Sequence, residues 1–366
     1  MSKFKVIQLL PELNIGGVER GTKDFSKVLV DRGHDSLVIS NGGVFEKDII
    51  EDGGKHINLP IHKKSLFSIR YASDLRDIYL SEKPDIVHVR SRMPAWINYF
   101  AYKKLSHKPL LVSTFHGLYS TPLYSQVMSK VDHIIAISKT VKDYIQGTYK
   151  VPNEKITVIP RGCDPEIFNK NPVEESWIKK WYEEFPQTQD KIILTMPTRI
   201  SKWKGVDSFI DLVNLLDDDN YHALIVGPTA KSKKSYLKQL QNKISNYGIE
   251  DKITITGSRN DISNIYKISD FVFNLSIKPE PFGRTTIEAI SSGSKVLGWN
   301  HGGTKEILEE LYPDGLVELD NIEDLVEKVI NLSNMTNSMP KENTFTSERM
   351  TNQTISLYQD LLAKRL

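Results

Sequence analysis

The sequence predicts an α/β protein of two Rossmann-like domains, and three observations carry that expectation. Strand-like apolar runs recur along the chain, at residues 4–10, 36–40, 55–59, 85–89 and 110–114, and again from residue 191 onward. Between the first two runs, Val18, Phe25, Val28 and Leu29 fall at helical spacing and Gly33 ends the helix predicted over 18–32, which makes a βαβ unit. The 366 residues suffice for two cores, and the Trp-, Lys- and Glu-rich stretch 166–186 reads as a helical connection between them. The expected division is 1–165, 166–345 and a final segment 346–366.

The bulk composition narrows the function. Charged residues make up 26% and the net charge is +2, as in a soluble globular protein. The single cysteine, Cys163, rules out an internal disulfide and fits a reducing compartment. No apolar stretch reaches membrane-span length, and the opening MSKFKVIQLL runs into a strand rather than a signal peptide, so the cytoplasm is expected. Charge is uneven: residues 1–160 hold 23 Lys and Arg against 16 Asp and Glu. Lys63, Lys64, Arg70, Arg90, Arg92, Lys103, Lys104 and Lys108, with Trp96, Tyr99, Phe100 and Tyr102 interleaved among the later ones, suit an anionic membrane surface, and equally a solvated face. No nucleic acid partner is expected.

Taken in order, the first candidate loop is Asn14-Ile15-Gly16-Gly17, at the carboxyl end of the first strand, where open α/β sheets bind ligands. Without G-x-G-x-x-G a dinucleotide cofactor is not supported, and a plain strand-to-helix turn competes. Arg90 and Arg92 follow another strand end; guanidinium forks suit a carboxylate or phosphate, or simply solvate a loop. His116-Gly117 stands at the tip of the run 110–114. Residues 131–138 form a further strand, and 156–164 end the first domain.

The second half starts with the strand 191–196, followed by Arg199 and Lys204. Strands at 222–226 and 252–257 come next. Asp217, Asp218 and Asp219 end a helix and read as a solvated turn rather than a metal site; no metal ligands are assigned. Asp261 reads as a helix N-cap. The strand 271–275 then leads into SIKPEPFGRTTIEAISSGSKVLGWNHGGTKE. Pro279 and Pro281 hold Glu280 extended, Gly283 opens a helix over 284–292, and its N-terminus suits a phosphate. Glu288, one turn on, could grip a pair of sugar hydroxyls or pair with Arg284 at i,i+4. The strand 295–299 precedes Gly302-Gly303, and the last helix runs over 351–366.

Glu280 and Glu288, at E-x7-E spacing around Pro281-Phe282-Gly283, resemble the signature of family 4 of the retaining glycosyltransferases. That resemblance covers nearly the whole chain. It implies the GT-B fold: two Rossmann-like domains facing across a cleft, with the C-terminal helix returning to the first. It implies that Glu280 holds the donor sugar, that Glu288 holds the ribose, and that Arg199 and Lys204 clamp the diphosphate. Gly16, Gly17, Arg259, Phe282, Gly283 and Arg284 complete the implied donor site, and His116 contacts the sugar near the reacting carbon. Arg90, Arg92 and Tyr119 are the expected acceptor residues. Family members usually carry glycine where this chain has Thr198, a histidine near Arg90, and a hydrophobic residue at Cys163.

The first-domain wording (GGVERGT, HVRSRMPAW, STFHGLYS) is similar to that of bacterial enzymes that build lipopolysaccharide or related envelope glycans. The function this implies is retaining transfer of a sugar from a nucleotide-sugar, a UDP-sugar in first expectation, to a glycan or glycolipid acceptor. Neither a metal nor an organic cofactor is expected, and the enzyme would work in the cytoplasm or peripherally on the inner membrane face. The alternatives are a sugar-nucleotide epimerase of the same fold and a non-catalytic nucleotide-sugar-binding protein.

Overall fold

The structure is a computed structural model that describes residues 3–335 and 337–365, apart from the side chain of Leu66. Met1, Ser2 and Leu366, at the predicted start and at the end of the predicted last helix, lie outside the described residues. The chain forms two compact units, Met1–Pro160 with Met350–Leu366, and Arg161–Arg349.

The first unit holds seven strands: β1 (Lys5–Leu9), β2 (Asp35–Ser40), β3 (Lys55–Asn58), β4 (Ile86–Val89), β5 (Leu110–Phe115), β6 (His133–Ala136) and β7 (Ile156–Val158). All pair parallel in the order β3-β2-β1-β4-β5-β6-β7. Parallel strands need helical crossovers on both faces, so their side chains are buried on both. Val6, Ile7 and Leu9 accordingly have no exposed surface. The chain winds outward from β1 to β3, then returns to β4 beside β1. The loops after β1 and β4 therefore part, which is where such sheets take ligands.

One cluster of this core joins Phe4, Val6, Phe25, Leu29, Ile86 and Val112 to Ile355 and Tyr358. The last two come from the final helix, Ser347–Ala363, so the C-terminal residues complete the first unit. The Tyr358 hydroxyl hydrogen-bonds His88 Nδ1 at 2.6 Å, and His88 Nε2 lies 2.7 Å from Thr114 Oγ1. The predicted strand 131–138 is shorter at both ends for local reasons. Asp132 accepts from the Leu111 N–H through its side chain, and Ser138 caps the helix Lys139–Tyr149 by accepting from Val141.

The second unit holds β8 (Ile192–Pro197), β9 (Tyr221–Val226), β10 (Ile253–Gly257), β11 (Phe271–Asn274), β12 (Lys295–Trp299) and the two-residue β13 (Leu316–Val317). They pair parallel in the order β10-β9-β8-β11-β12-β13, with the reversal between β8 and β11. Residues 166–186 do more than connect. Their helix, Glu175–Glu184, buries Trp181 against Ile193, Leu224 and Ile265, with Trp177 stacked on it at 5.2 Å. Asp217 and Asp219 are exposed and pair with Lys252, a turn built on one lysine.

Buried histidines set an acid limit. His222 on β9 bonds Thr254 Oγ1 at 2.8 Å; burial, helped by Lys191, lowers its pKa to about 4, and burial holds His88 well below the ordinary value too. The unfolded chain takes up these protons near pH 6.5, whereas folded His222 does so only near 4, so acid favours unfolding. Stability in urea is expected to be flat above about pH 6.5 and to fall by up to about 1.4 kcal/mol per pH unit per such histidine below it. His222→Gln should flatten part of that slope.

Candidate active site

Three loops converge where the second sheet reverses. Those after β8 and β11 are joined by a hydrogen bond from the Ile277 N–H to the Trp203 carbonyl (2.9 Å). Gly205, at φ +76°, lies so close to the Leu275 carbonyl that a Cβ would fall 1.9 Å from its oxygen. The third loop, after β12, brings Gly302 and Gly303 under the Pro279–Phe282 backbone. The Gly303 N–H donates to the Glu280 carbonyl (2.7 Å), and a Cβ on Gly303 would sit 2.4 Å from Phe282 Cα. His301 Nε2 closes the arrangement on the Ser276 carbonyl at 2.6 Å. These contacts fix the extended stretch that carries Glu280.

The Glu280 carboxylate accepts from Ser276 Oγ at 2.6 Å and pairs with Lys204. Lys204 in turn lies over the Trp203 ring, 4.2 Å from its centre. Arg199 is exposed on the same loop, and no acceptor pairs with it among the described residues. Gly283, at φ +99°, starts the helix Arg284–Ser291, which has no side-chain cap. Arg284 Nη2 donates to Glu288 Oε1 at 2.7 Å, so the i,i+4 pair does form. It is not a surface pair, however: the Glu288 side chain is only 9% exposed against 47% for Arg284. Beneath it, burial and then the Glu288 carboxylate hold the Tyr266 hydroxyl far above its ordinary pKa.

Other predicted positions have different surroundings. The Arg259 guanidinium binds both Glu184 oxygens (2.9 and 3.0 Å) and both Asp261 oxygens, and lies over Trp181. Asp261 stands at the start of the helix Ile262–Lys267 but does not cap it, because its carboxylate is taken by Arg259 and Trp177 Nε1. The Phe282 ring is buried edge-on to Phe345. The Cys163 thiol is buried, bonded to Ser291 and Asn343, and pushed up in pKa by burial, so it packs rather than reacts.

In the first unit, Gly16 is extended and Gly17 begins the helix Gly17–Asp31, one residue before the predicted start. His116 follows β5, and its N–H donates to the Tyr119 hydroxyl (3.4 Å), whose pKa burial raises to about 12. Neither Arg90 nor Arg92 simply solvates a loop, which was the alternative to an anion-binding role. Arg90 is buried against the sheet, and Arg92 starts the helix Arg92–Lys103 with its guanidinium 4.8 Å from the Tyr119 ring centre. Sequence reasoning missed Ser276, Trp203, His301 and Tyr266, since only the fold brings them to the motif. Among the described residues no group of three His, Cys, Asp or Glu side chains is disposed to hold a metal.

Residues 15–167 match the family described as Glycosyltransferase Family 4, and residues 178–348 match Glycosyl transferases group 1. The crystal structure of a glycosyltransferase from Rickettsia africae ESF-5 is 30% identical, covers 99% of both chains and has a TM-score of 0.86. A human phosphatidylinositol N-acetylglucosaminyltransferase subunit is 25% identical over 325 residues; the match takes in 81% of this chain and 62% of the human protein, under two thirds of its length. An Anabaena protein solved in complex with UDP and glucose is 20% identical, with a TM-score of 0.78 over 98% of this chain and 100% of its own. Tandem matches that leave few residues uncovered, together with a glycosyltransferase of equal extent, settle the membership: this chain is a family 4 glycosyltransferase with the GT-B fold.

Proposed function

We propose that the chain transfers a sugar, with retention of anomeric configuration and without a metal, from a UDP-sugar to a glycan or glycolipid acceptor of the cell envelope such as a lipopolysaccharide precursor. The observation that carries this reading is the Lys204–Glu280 pair at the reversal between β8 and β11, with the exposed Arg199 on the same loop as Lys204. A diphosphate placed there meets both cations and the uncapped start of the helix Arg284–Ser291. Glu288, fixed by Arg284, takes the ribose hydroxyls, and Glu280 takes hydroxyls of the sugar.

In the step proposed, the bond from the anomeric carbon to the leaving phosphate oxygen breaks. The acceptor oxygen bonds to that carbon on the same face, and its proton passes to the leaving phosphate. Arg199 and Lys204 stabilise the charge that develops on the diphosphate. We assign His116 to orient the reacting groups.

A lipid-linked acceptor accords with the human relative's name and with the first unit's surface. Phe67 is 83% exposed between Lys64 and Arg70, and Lys103 and Lys130 lie over Tyr99. No described helix is long and apolar enough to cross a membrane.

The test separates the two glutamates. Glu288→Gln is expected to weaken UDP and UDP-sugar alike, about tenfold or more, from the loss of a charged hydrogen bond. Glu280→Gln should leave UDP affinity within about twofold and lower transfer. Equal losses of UDP affinity in both variants would overturn the division of roles. Product NMR coupling constants showing inversion, or activity lost to a chelator and restored by magnesium or manganese, would overturn the retaining, metal-free mechanism.

A further inference from the structure

We propose that Arg90 is an anion receptor of the first unit, which holds a phosphate or carboxylate group carried by the acceptor, and that Arg92 positions the loop beside it. The proposal rests on the acceptor binding to the first unit.

Arg90 follows β4, and its N–H bonds the Leu9 carbonyl (3.0 Å), so it sits at the reversal between β1 and β4. Its side chain is turned into the sheet and the residue is 7% exposed. Nε donates to Gln8 Oε1 at 2.9 Å, and the guanidinium lies over the Phe25 ring, 5.5 Å from its centre. Gln8 is itself fixed through the Thr22 carbonyl at 3.3 Å. Gln8 and Phe25 are both neutral. Among the described residues no carboxylate lies within 4.0 Å of Arg90, and no Asp or Glu occurs between Asp85 and Asp132.

A cation withdrawn from water without a counter-charge carries a desolvation penalty of several kcal/mol. Burial lowers the Arg90 pKa to about 10, so it remains charged at neutral pH. A structural prop between β1 and β4 could be a neutral side chain. A fork fixed at Nε, with a charge that no protein group balances, suits an oxyanion from outside. The helix Arg92–Lys103 begins alongside with no side-chain cap, which adds its positive end.

Arg92 does different work. Its Nη1 donates to Thr121 Oγ1 (3.1 Å) and Ser125 Oγ (3.4 Å), and its guanidinium stacks over Tyr119 and Tyr124. It thereby staples the loop that follows His116.

The test reads the Arg90 Nε–H resonance in the 15N spectrum of the full chain, assigned with Arg90→Lys. Inorganic phosphate and, separately, succinate are titrated with and without saturating UDP. The expected result is a saturable shift with at least one of the two anions, unchanged by UDP, and no shift from UDP alone. The more strongly bound anion identifies phosphate or carboxylate as the group read. Arg90→Gln should weaken that anion at least about tenfold. No response to either anion, or a response to UDP that leaves none for the anion, would overturn the proposal. Failure of UDP to stabilise the protein would instead sink the donor reading, and leaves the anion titration without UDP to be judged by itself.

Discussion

Replacing Arg199 by alanine is expected to lower kcat/KM for the donor by about 10²–10³-fold, the effect of removing one preorganised group that stabilises developing charge. The melting temperature should hardly move. Arg199 is exposed and pairs with no acceptor among the described residues, and such surface substitutions stay within about 0.5 kcal/mol. Lys204→Ala should match that loss of activity and also lower stability. Lys204 is the charged partner of Glu280, and without it a largely buried carboxylate keeps, among the described residues, only the Ser276 hydroxyl. UDP calorimetry, a donor kinetic assay and a thermal scan on both variants check the contrast. Near-normal kinetics for Arg199→Ala would remove it from the clamp.

Tyr358→Ala is expected to destabilise the first unit by about 3–5 kcal/mol, the range for deleting a large buried aromatic side chain. Tyr358 has no exposed surface and meets Phe4, Phe25 and His88 edge-on, with ring centres 6.0–6.3 Å away. Tyr358→Phe keeps the packing and removes only the hydroxyl that His88 Nδ1 bonds. It should cost about 1–3 kcal/mol, the penalty of a buried polar atom left unpaired. Urea unfolding followed by hydrogen exchange on first-unit strands would show whether the loss is confined there. A Phe variant as damaged as the Ala variant would mean that the hydrogen bond, rather than the packing, holds the helix.

Strand cores were legible because a parallel strand buried on both faces is a mostly apolar run, as in β1 (KVIQL) and β11 (FVFN). β13 was not, since two residues carry no period. In the second unit the Pro279-Glu280-Pro281 stretch and Gly302-Gly303 could be read as backbone geometry, and the near-collisions at Gly303 and Gly205 give the reason. Pairings were harder to read. Lys204 and Glu280 are 76 residues apart and Tyr358 and His88 are 270 apart, distances at which local pattern is silent. Arg90 and Arg92 look alike in sequence, two positions apart after one strand. One is buried over Phe25 and the other is stacked on Tyr119, because strand and helix turn their side chains differently.

The return of Met350–Leu366 to the first unit has a consequence for synthesis on the ribosome. The first 160 residues emerge without Ile355 and Tyr358, which close their core. Roughly 190 further residues must be translated first, which takes about 10–40 s at elongation rates of about 5–20 residues per second. Throughout that interval Phe4, Val6 and Phe25 lack the cover of Ile355 and Tyr358, and by its end all the strands of the second unit have been made. A premature stop in the last codons would therefore damage the half of the enzyme that was made first, and a chaperone that binds nascent chains would find its target there.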